Sequence, residues 1–207
     1  MLKQKIAALA LSALFILPQS AQAADQYEFD KAHTQIMFSV SHLGFSNSHG
    51  RFTDFDGGFT FDAEKVEDSV IDVTINSGSI EMDHKGWNDH LKNADFLYIE
   101  KFPEISFQSN EIVKTADDRG EVSGDLTILG ITKPVTLEVV FNREGIHPYS
   151  KRHVAGFSAT GEVKRSDFGM TYGLPGVGDM VSIKIEVEGM KIEEKAEAKT
   201  DAKAKAE

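Results

Sequence analysis

Cysteine is absent from the sequence, and its absence excludes several kinds of chemistry. A chain without thiols forms no disulfide bond, offers no thiolate to a metal ion and has no cysteine nucleophile. The 207 residues also include only one tryptophan and five prolines. Stability must therefore come from the burial of apolar surface, and a chain of this length can bury enough of it as one domain.

Long apolar runs are also missing, except for one near the N-terminus. Lys3 and Lys5 precede an apolar stretch at residues 6–17, and small residues follow up to Ala23. This pattern is typical of a secretory signal peptide, because the apolar stretch is about half as long as a membrane span requires. We expect residues 1–23 to be cleaved near Ala23 and the protein to be exported without a transmembrane anchor, to the periplasm in a Gram-negative bacterium.

The sequence contains fewer basic residues than acidic residues. The sequence has 22 Lys and Arg residues against 33 Asp and Glu residues, which gives a net charge of −11. A surface this acidic repels the phosphates of nucleic acids and of anionic lipids. We therefore expect no nucleic acid as a partner, and an anionic ligand would need a local basic site.

Residues 24–190 are predicted to form one domain, and residues 191–207 a tail. The tail consists mainly of Ala, Lys and Glu. Such a segment can be helical but has little apolar surface to bury, so we expect it to be disordered.

Alternation of apolar and polar residues is what the sequence has in abundance. Val181, Ile183, Ile185 and Val187 alternate with polar residues, and shorter runs of the same period recur from residue 36 onward. A period of two is typical of strands with one buried face, whereas parallel sheets covered on both faces show continuous apolar runs. The fold is therefore predicted as all-β and antiparallel, with six to eight strands in a barrel or a sandwich. A closed barrel of about eight strands would leave no exposed edge.

The clearest local prediction is a β-hairpin. Residues 122–128 and 135–141 carry alternating apolar residues, and residues 130–134 are predicted as the turn between them. Gly- and Asn-containing stretches predict further turns at residues 46–50, 56–58, 116–120 and 142–145.

One segment breaks the alternation. From Asn88 to Phe96 the spacing of apolar residues becomes helical, and Asn88 is a residue type that caps helices. We expect a short helix here that lies across one end of the sheet. The only tryptophan, Trp87, directly precedes it.

The fourteen phenylalanines leave the nature of the interior open. They fit a solid aromatic core, and they also fit a pore, because barrels of about eight strands can hold one slender ligand. If the interior is a pore, its predicted lining is Ile36, Phe38, Val40, Phe59, Phe61, Ile71, Val73, Ile75, Phe107, Leu126, Ile128 and Phe157.

The seven histidines raise the question of metal binding or acid–base chemistry. No His-Glu-x-x-His motif occurs, and neither does the Gly-x-Ser-x-Gly motif of a serine hydrolase. His42 and His90 nevertheless fall in segments expected near the end of a cavity. An enzyme with a histidine base, and a metal-binding or stress-buffering protein, therefore remain alternatives to a binding protein.

A basic residue lies where a predicted strand runs into a long loop. Arg165 could hold a phosphate or a polar headgroup by paired hydrogen bonds. A surface ion pair between Arg165 and Asp167 is an equally good interpretation of the sequence.

Taken in order, several short motifs resemble the YceI-like family of exported, polyisoprenoid-binding bacterial proteins. Each motif is weak alone, but the ordered set runs from about Tyr27 to Gly189. The motifs are Phe29 to His33, Phe38 to Gly44, Gly50 to Phe52, Phe55 to Gly57, His90-Leu91, Ala94 to Phe96, Phe102-Pro103, Gly124 to Val135 and Arg165 to Met170.

The resemblance implies a lipocalin-like barrel whose apolar pore takes an isoprenoid chain of the prenyl-diphosphate or ubiquinone type. It also implies that no cofactor is required and that the protein transports or stores the lipid, in some relatives in connection with stress. A homodimer is consistent with the resemblance. The residues placed at the mouth are His42, Trp87, His90, Arg165, Asp167 and Phe168.

The sequence departs from the family at the predicted helix. Many relatives resembling this chain carry an Arg-Asp pair directly before the His-Leu of the helix, where this chain has Trp87, Asn88 and Asp89. The departure favours a neutral headgroup, such as a quinone, over a diphosphate.

Overall fold

A computed structural model describes residues 24–193 and confirms an all-β fold built on a closed antiparallel barrel. The predicted signal peptide and most of the predicted tail lie outside the described residues. The strands are β1 Asp25–Phe29, β2 Gln35–His42, β3 Ser46–Phe52, β4 Phe55–Phe61, β5 Ile71–Asn76, β6 Ile80–Glu81, β7 Glu104–Ala116, β8 Arg119–Ile128, β9 Ile131–Ile146, β10 His153–Lys164 and β11 Val177–Lys191. The helix α1 spans Lys85–Leu91, and 3₁₀ turns span Val66–Asp68, Ser77–Ser79 and Arg165–Phe168.

The eleven strands fill eight positions around the barrel. Strands β1, β4, β5, β7, β8, β9, β10 and β11 are hydrogen-bonded in that order, and β1 closes the ring on β11. Strands β2, β3 and β6 extend three of these positions toward one end, because β2 also pairs with β11, β3 with β2, and β6 with β3. The prediction of about eight strands is therefore confirmed for the ring, and the extra strands come from interruptions.

The two ends of the barrel differ. At one end, which we call the mouth, His42 of β2 lies opposite Val177 of β11, and Ile128 at the end of β8 lies opposite Ile131 at the start of β9. At the far end, Tyr27 of β1 lies opposite Lys191 of β11. The 3₁₀ turn Arg165–Phe168 lies at the mouth, because β10 ends there.

The predicted hairpin is present, but its turn is shorter than predicted. The turn consists of Leu129 and Gly130 alone, and both have positive φ, 53° and 72°. Such a pair gives the tight two-residue connection whose twist matches that of the strands. Residues 131–134, predicted as turn, instead begin β9, with Pro134 opposite Asp125.

Three other predicted turns are wrong, because residues 46–50, 56–58 and 142–145 lie inside β3, β4 and β9. Of the four, only the stretch at residues 116–120 contains a turn between strands. The glycines of β4 serve a different purpose, since a Cβ atom at Gly57 would lie 2.1 Å from the carbonyl oxygen of Asp72. A Cβ at Gly58 would likewise lie 2.2 Å from the carbonyl oxygen of Tyr27, so both glycines allow neighbouring strands to approach closely.

The helix begins at Lys85 rather than at the predicted Asn88, and it ends at Leu91 rather than at the predicted Phe96. Its N-cap is His84, whose Nδ1 accepts a hydrogen bond from the backbone N–H of Trp87 at 3.3 Å. Asn88, predicted as the cap, lies within the helix. Its side chain instead accepts from the backbone N–H of Met82 at 2.8 Å.

The folded domain extends slightly beyond its predicted end. Lys191, predicted as the first residue of the tail, belongs to β11 and pairs with Tyr27. The backbone N–H of Ile192 donates to the carbonyl oxygen of Gln26 at 2.8 Å. Within residues 24–193, no helix has the length and apolar character needed to cross a membrane.

Candidate functional site

The barrel encloses a cavity of about 660 Å³, so its interior is not a solid core. The cavity reaches from the mouth, at His42 and Trp87, to the turn between β7 and β8, at Asp118 and Arg119. All residues predicted to line a pore do line it, namely Ile36, Phe38, Val40, Phe59, Phe61, Ile71, Val73, Ile75, Phe107, Leu126, Ile128 and Phe157. That these residues contact a lipid stays a prediction.

The middle of the cavity is apolar because each strand directs every second side chain inward and these side chains are hydrophobic. Ile183 and Ile185 of β11 line it, and they lie opposite Phe38 and Ile36 of β2. The polar residues between them, such as Lys184, point outward. A slender apolar chain would contact only hydrocarbon side chains here. This section can therefore bind a ligand by burying its apolar surface, but it offers no partner for a polar group of the ligand.

Toward the far end the wall becomes aromatic. Phe157 stands edge-on to Phe59 and Phe61, with ring centroids 5.5 and 5.1 Å apart. Tyr27 stacks on Phe59 at 5.0 Å, and its hydroxyl donates to Glu144 at 2.7 Å. Burial raises the pKa of the Tyr27 phenol, so Tyr27 stays neutral and ties the aromatic cluster to the end of β9.

One buried hydroxyl at this end has no hydrogen-bond partner within residues 24–193. The Oγ of Ser69 is buried and has no hydrogen-bond partner among the described residues, and Ser69 lines the cavity. Buried polar groups are normally paired, so this hydroxyl is an exception among the described residues. Nothing in the sequence distinguishes Ser69 from the other serines.

The mouth is ringed by aromatic side chains from three segments. The ring of His42 lies 6.0 Å from that of Trp87, and His90 lies 5.0 Å from Phe96 and 5.2 Å from Tyr172. All five residues line the cavity. Helix α1, which carries Trp87 and His90, therefore closes against β2 on one side and against the loop before β11 on the other.

Helix α1 is held mainly from its first turn. It has no fully buried residue, although Leu91 is partly buried against the core. Asn88 donates to Glu81 at 2.8 Å, and this hydrogen bond lowers the pKa of the Glu81 carboxyl. The helix is thus anchored to β6 by polar contacts.

Arg165 lies in the cavity wall, but three of its N–H groups are already used. Its guanidinium donates to the backbone carbonyls of Gly178, Met170 and Val177 at 2.7, 2.8 and 2.9 Å. Arg165 is 4% exposed, and burial lowers the pKa of its guanidinium, which still remains charged at neutral pH. Its main contribution in this structure is to hold the loop before β11 in place.

The proposed Arg165–Asp167 surface pair is not formed in the described structure. Asp167 is exposed and lies outside the cavity lining, so the structure does not place it at the headgroup position predicted for it. Phe168, by contrast, is 1% exposed and lines the cavity beside Arg165. The carboxylate that serves this turn is Asp179, which accepts from the backbone N–H and the hydroxyl of Ser166 at 3.0 and 2.8 Å.

The bonds to Asp179 predict acid sensitivity of the mouth. Hydrogen bonds from Ser166 hold the pKa of the Asp179 carboxyl below its usual value. The stabilisation is therefore complete above that usual value, about 3.9, and is lost as the pH falls through the lower folded-state pKa. We expect the melting temperature of the natural protein to fall more steeply below about pH 4 than that of Asp179→Asn.

The control for this measurement is Asp167→Asn on the same turn. Its side chain is exposed and makes no hydrogen bond within the described residues. We expect Asp167→Asn to show the same fall of melting temperature with pH as the natural protein. Equal pH dependence of the natural protein and Asp179→Asn would contradict the assignment.

The histidines at the mouth do not form a nucleophile-activating arrangement among the described residues. His90 Nε2 pairs with Asp95 at 3.1 Å, and both side chains are substantially exposed. Within residues 24–193, no serine or threonine hydroxyl is hydrogen-bonded to His42 or His90. An activated nucleophile requires such a contact.

The described part of the chain brings together one group of possible metal ligands, away from the cavity. Asp30, His33 and Glu188 place ligand atoms within 4.8 Å of one another. His33 Nδ1 lies 2.8 Å from Asp30, and this contact raises the pKa of His33 and so favours its protonated form. Asp30 and His33 both lie in the β1–β2 connection and form an ion pair when the imidazole is protonated, while Glu188 belongs to β11.

Some lining residues were not among the predicted ones. Ile105, Ile183 and Ile185 belong to recognised alternating runs, so their signal was available in the sequence. Tyr172 lies in an irregular loop and became recognisable only through its contact with His90.

Comparison with known proteins agrees with this architecture. The family model described as YceI-like domain matches residues 27–189. A UPF0312 protein of Pseudomonas putida strain W619 is 40% identical over 193 residues, which cover 92% of this chain and 99% of the relative. A crystal structure of a YceI protein from Campylobacter jejuni has a TM-score of 0.66 and 32% identity, covering 79% of this chain and 96% of that one.

A more distant structure shares the fold. It is a polyisoprenoid binding domain from Saccharophagus degradans with a TM-score of 0.61 and 12% identity, covering 83% of this chain and all of that one, 100%. With a barrel of this topology, its ordered motifs and a family match over nearly all of the described residues, the chain belongs to the YceI-like domain family.

Proposed function

We propose that the protein is an exported, non-catalytic carrier that holds one long isoprenoid lipid in the barrel cavity. The observation that carries the proposal is the continuous apolar cavity of about 660 Å³ that begins at the aromatic ring of the mouth. The Saccharophagus degradans domain, which shares the fold, is described as polyisoprenoid binding and supports the same class of ligand. The leader-like residues 1–23 support export to the periplasm.

Burial of the chain would supply most of the affinity. Each methylene-sized group transferred from water contributes about 0.8 kcal/mol, and the middle of the cavity offers only hydrocarbon contacts. Chain length and thickness would therefore be selected more strongly than chemical detail. Fatty acids and amides should compete, although more weakly where they are shorter than the natural ligand.

The mouth favours a neutral headgroup. Three donors of Arg165 are bound to backbone carbonyls, and the helix carries Trp87, Asn88 and Asp89 where resembling proteins have an Arg-Asp pair before the His-Leu. A quinone ring can stack among His42, Trp87 and Tyr172 without needing a counter-ion. We expect tighter binding of a long-chain ubiquinone than of a prenyl diphosphate of equal chain length. A clear preference for the diphosphate would contradict the neutral headgroup while leaving the carrier function intact.

The direct test is to identify the lipid that accompanies the protein. The full chain would be expressed in a Gram-negative host, purified from the periplasmic fraction without detergent, and measured by native mass spectrometry and lipid extraction. We expect one isoprenoid molecule per chain, chemically unchanged after prolonged incubation. A protein that is consistently empty would argue against the carrier, and steady conversion of the lipid that is abolished in His90→Ala would establish an enzyme instead.

A further inference from the structure

Large apolar side chains are exposed around the mouth on four separate segments. Leu43, Phe45, Trp87, Ile131 and Tyr172 are 56, 89, 44, 38 and 49% exposed, and we call them the apolar rim. They belong to the β2–β3 turn, helix α1, the start of β9 and the loop before β11. Single exposed apolar residues are ordinary, but several around one opening indicate a surface that is covered by something else.

Contacts between the segments join the rim into one surface. The backbone N–H of Leu43 donates to the carbonyl oxygen of Gly176 at 2.7 Å, which ties the β2–β3 turn to the loop before β11. A Cβ atom at Gly169 would lie 3.6 Å from Ile131, so the start of β9 meets the turn after Arg165. Tyr172 in turn contacts His90 of α1, with ring centroids 5.2 Å apart.

Phe45 is held outward by the backbone. Leu43 and Gly44 both have positive φ, 53° and 73°, and the backbone N–H of Phe45 donates to the carbonyl oxygen of His42 at 3.0 Å. This is a tight two-residue turn, and positive φ at a leucine is sterically unfavourable. A strained and well-bonded turn therefore presents the most exposed phenyl ring of the rim to the outside.

We propose that the apolar rim docks on the surface of a zwitterionic phospholipid bilayer and that lipid passes there directly between the membrane and the cavity. The inference rests on the proposed carrier function. Trp87 and Tyr172 are at once exposed and part of the cavity lining, so whatever covers the rim also meets the opening. A water-insoluble chain would otherwise have to cross water to reach the cavity.

The chemistry of the rim fits a membrane interface better than a second copy of the chain. Trp and Tyr combine an apolar ring with a polar group and are enriched at membrane–water interfaces. Lys85 and Asp89, the two charged residues within α1, pair with each other, and His90 is hydrogen-bonded to Asp95. The net charge of −11 opposes contact with another copy and with anionic lipid, but not with a neutral lipid surface.

The single tryptophan makes the proposal testable without a label, because Trp87 is itself part of the rim. Vesicles of phosphatidylcholine carrying brominated acyl chains would be titrated into the full chain, and tryptophan fluorescence would be recorded. We expect quenching by these vesicles, at least fivefold weaker apparent binding for Phe45→Asp, and weaker binding when anionic lipid is added. Phe45 is 89% exposed, so the substitution should leave the fold intact, which circular dichroism would verify.

The matched control is Tyr149→Asp. Tyr149 is 88% exposed but follows β9 at the far end of the barrel, away from the mouth. It should bind vesicles like the natural protein. Equal losses in both variants would overturn the proposal, because they would reflect general hydrophobicity rather than the rim.

Lipid analysis of the same preparations separates this inference from the proposed function. If the protein contains isoprenoid but vesicles do not quench its tryptophan fluorescence, the docking proposal would be overturned and the carrier function would remain supported. If vesicles quench the fluorescence in a way that depends on Phe45, but the protein contains no isoprenoid, the result would support docking and contradict the carrier function. A dimer in sedimentation experiments that Phe45→Asp dissociates, with no quenching by vesicles, would show that a second copy covers the rim and would also overturn docking.

Discussion

Replacing Ala159 by tryptophan is expected to empty the barrel while leaving it folded. Ala159 lies near the middle of β10, lines the cavity and pairs with Val139 and Ile185 on the neighbouring strands. An indole there would occupy space that the ligand needs. Loss of about two methylene-sized contacts, at about 0.8 kcal/mol each, lowers lipid occupancy by roughly tenfold or more.

The measurement is the ratio of co-purified lipid to protein, compared with Thr160→Trp. Thr160 is the next residue of β10 and is exposed on the outer face, so the same side chain there leaves the cavity unchanged. In a packed core an added indole would be strongly destabilising, but here it enters open space, so both variants should unfold at similar temperatures. Full lipid occupancy in Ala159→Trp would mean that the ligand is not held in the barrel.

Replacing Arg165 by methionine is expected to lower the free energy of unfolding by about 3 kcal/mol, because the neutral backbone carbonyls around it lose their hydrogen-bond donor. Methionine fills the space of the side chain but leaves the carbonyls of Gly178, Met170 and Val177 without their donor. Each buried carbonyl left unpaired costs about 1–3 kcal/mol. Urea unfolding followed by circular dichroism would measure the loss.

Two further variants define the cause of that loss. Arg165→Lys keeps the charge but cannot reach three carbonyls at once, so it should rescue only part of the stability. Arg143→Met removes an exposed arginine from β9 and should change the free energy of unfolding by less than about 0.5 kcal/mol. A nearly unchanged Arg165→Met would show that water can replace the guanidinium in this loop.

The sequence predicted the inward-facing residues well because strand alternation is a local property. Ile183 and Phe38, for example, face the same interior since each lies at an alternate position of its own strand, and pairing then brings them opposite each other. The barrel itself followed from the resemblance, because the alternation alone left a barrel and a sandwich open. Whether the interior was solid or hollow did not follow, because a phenylalanine such as Phe61 fits either.

The errors have a common origin in contacts between residues distant in sequence. Gly57 and Gly58 look like a turn, but they are needed because Asp72 and Tyr27 on adjacent strands approach them closely. Arg165 looks like a free cation, but its partners at Gly178 and Val177 are supplied by the start of another strand. No local pattern contains that information.

The start of the helix at the mouth is determined by a single capping hydrogen bond. Asn88 is a good capping residue, yet His84 caps the helix four residues earlier because its ring nitrogen is free to accept from Trp87. The existence of a short helix was therefore predictable, and its start was not. The shift matters for function, because it turns Trp87 from a residue before the helix into part of its cavity face.

The closure of the ring between β1 and β11 fixes the order of events during synthesis. Tyr27 and Lys191, near opposite ends of the described chain, are paired neighbours, and β11 also supplies the partner strand for β2 and β10. The ring therefore cannot close before β11 has been synthesised. The interior is enclosed only after β11 has paired with β1, so a ligand held in the cavity would enter a completed barrel.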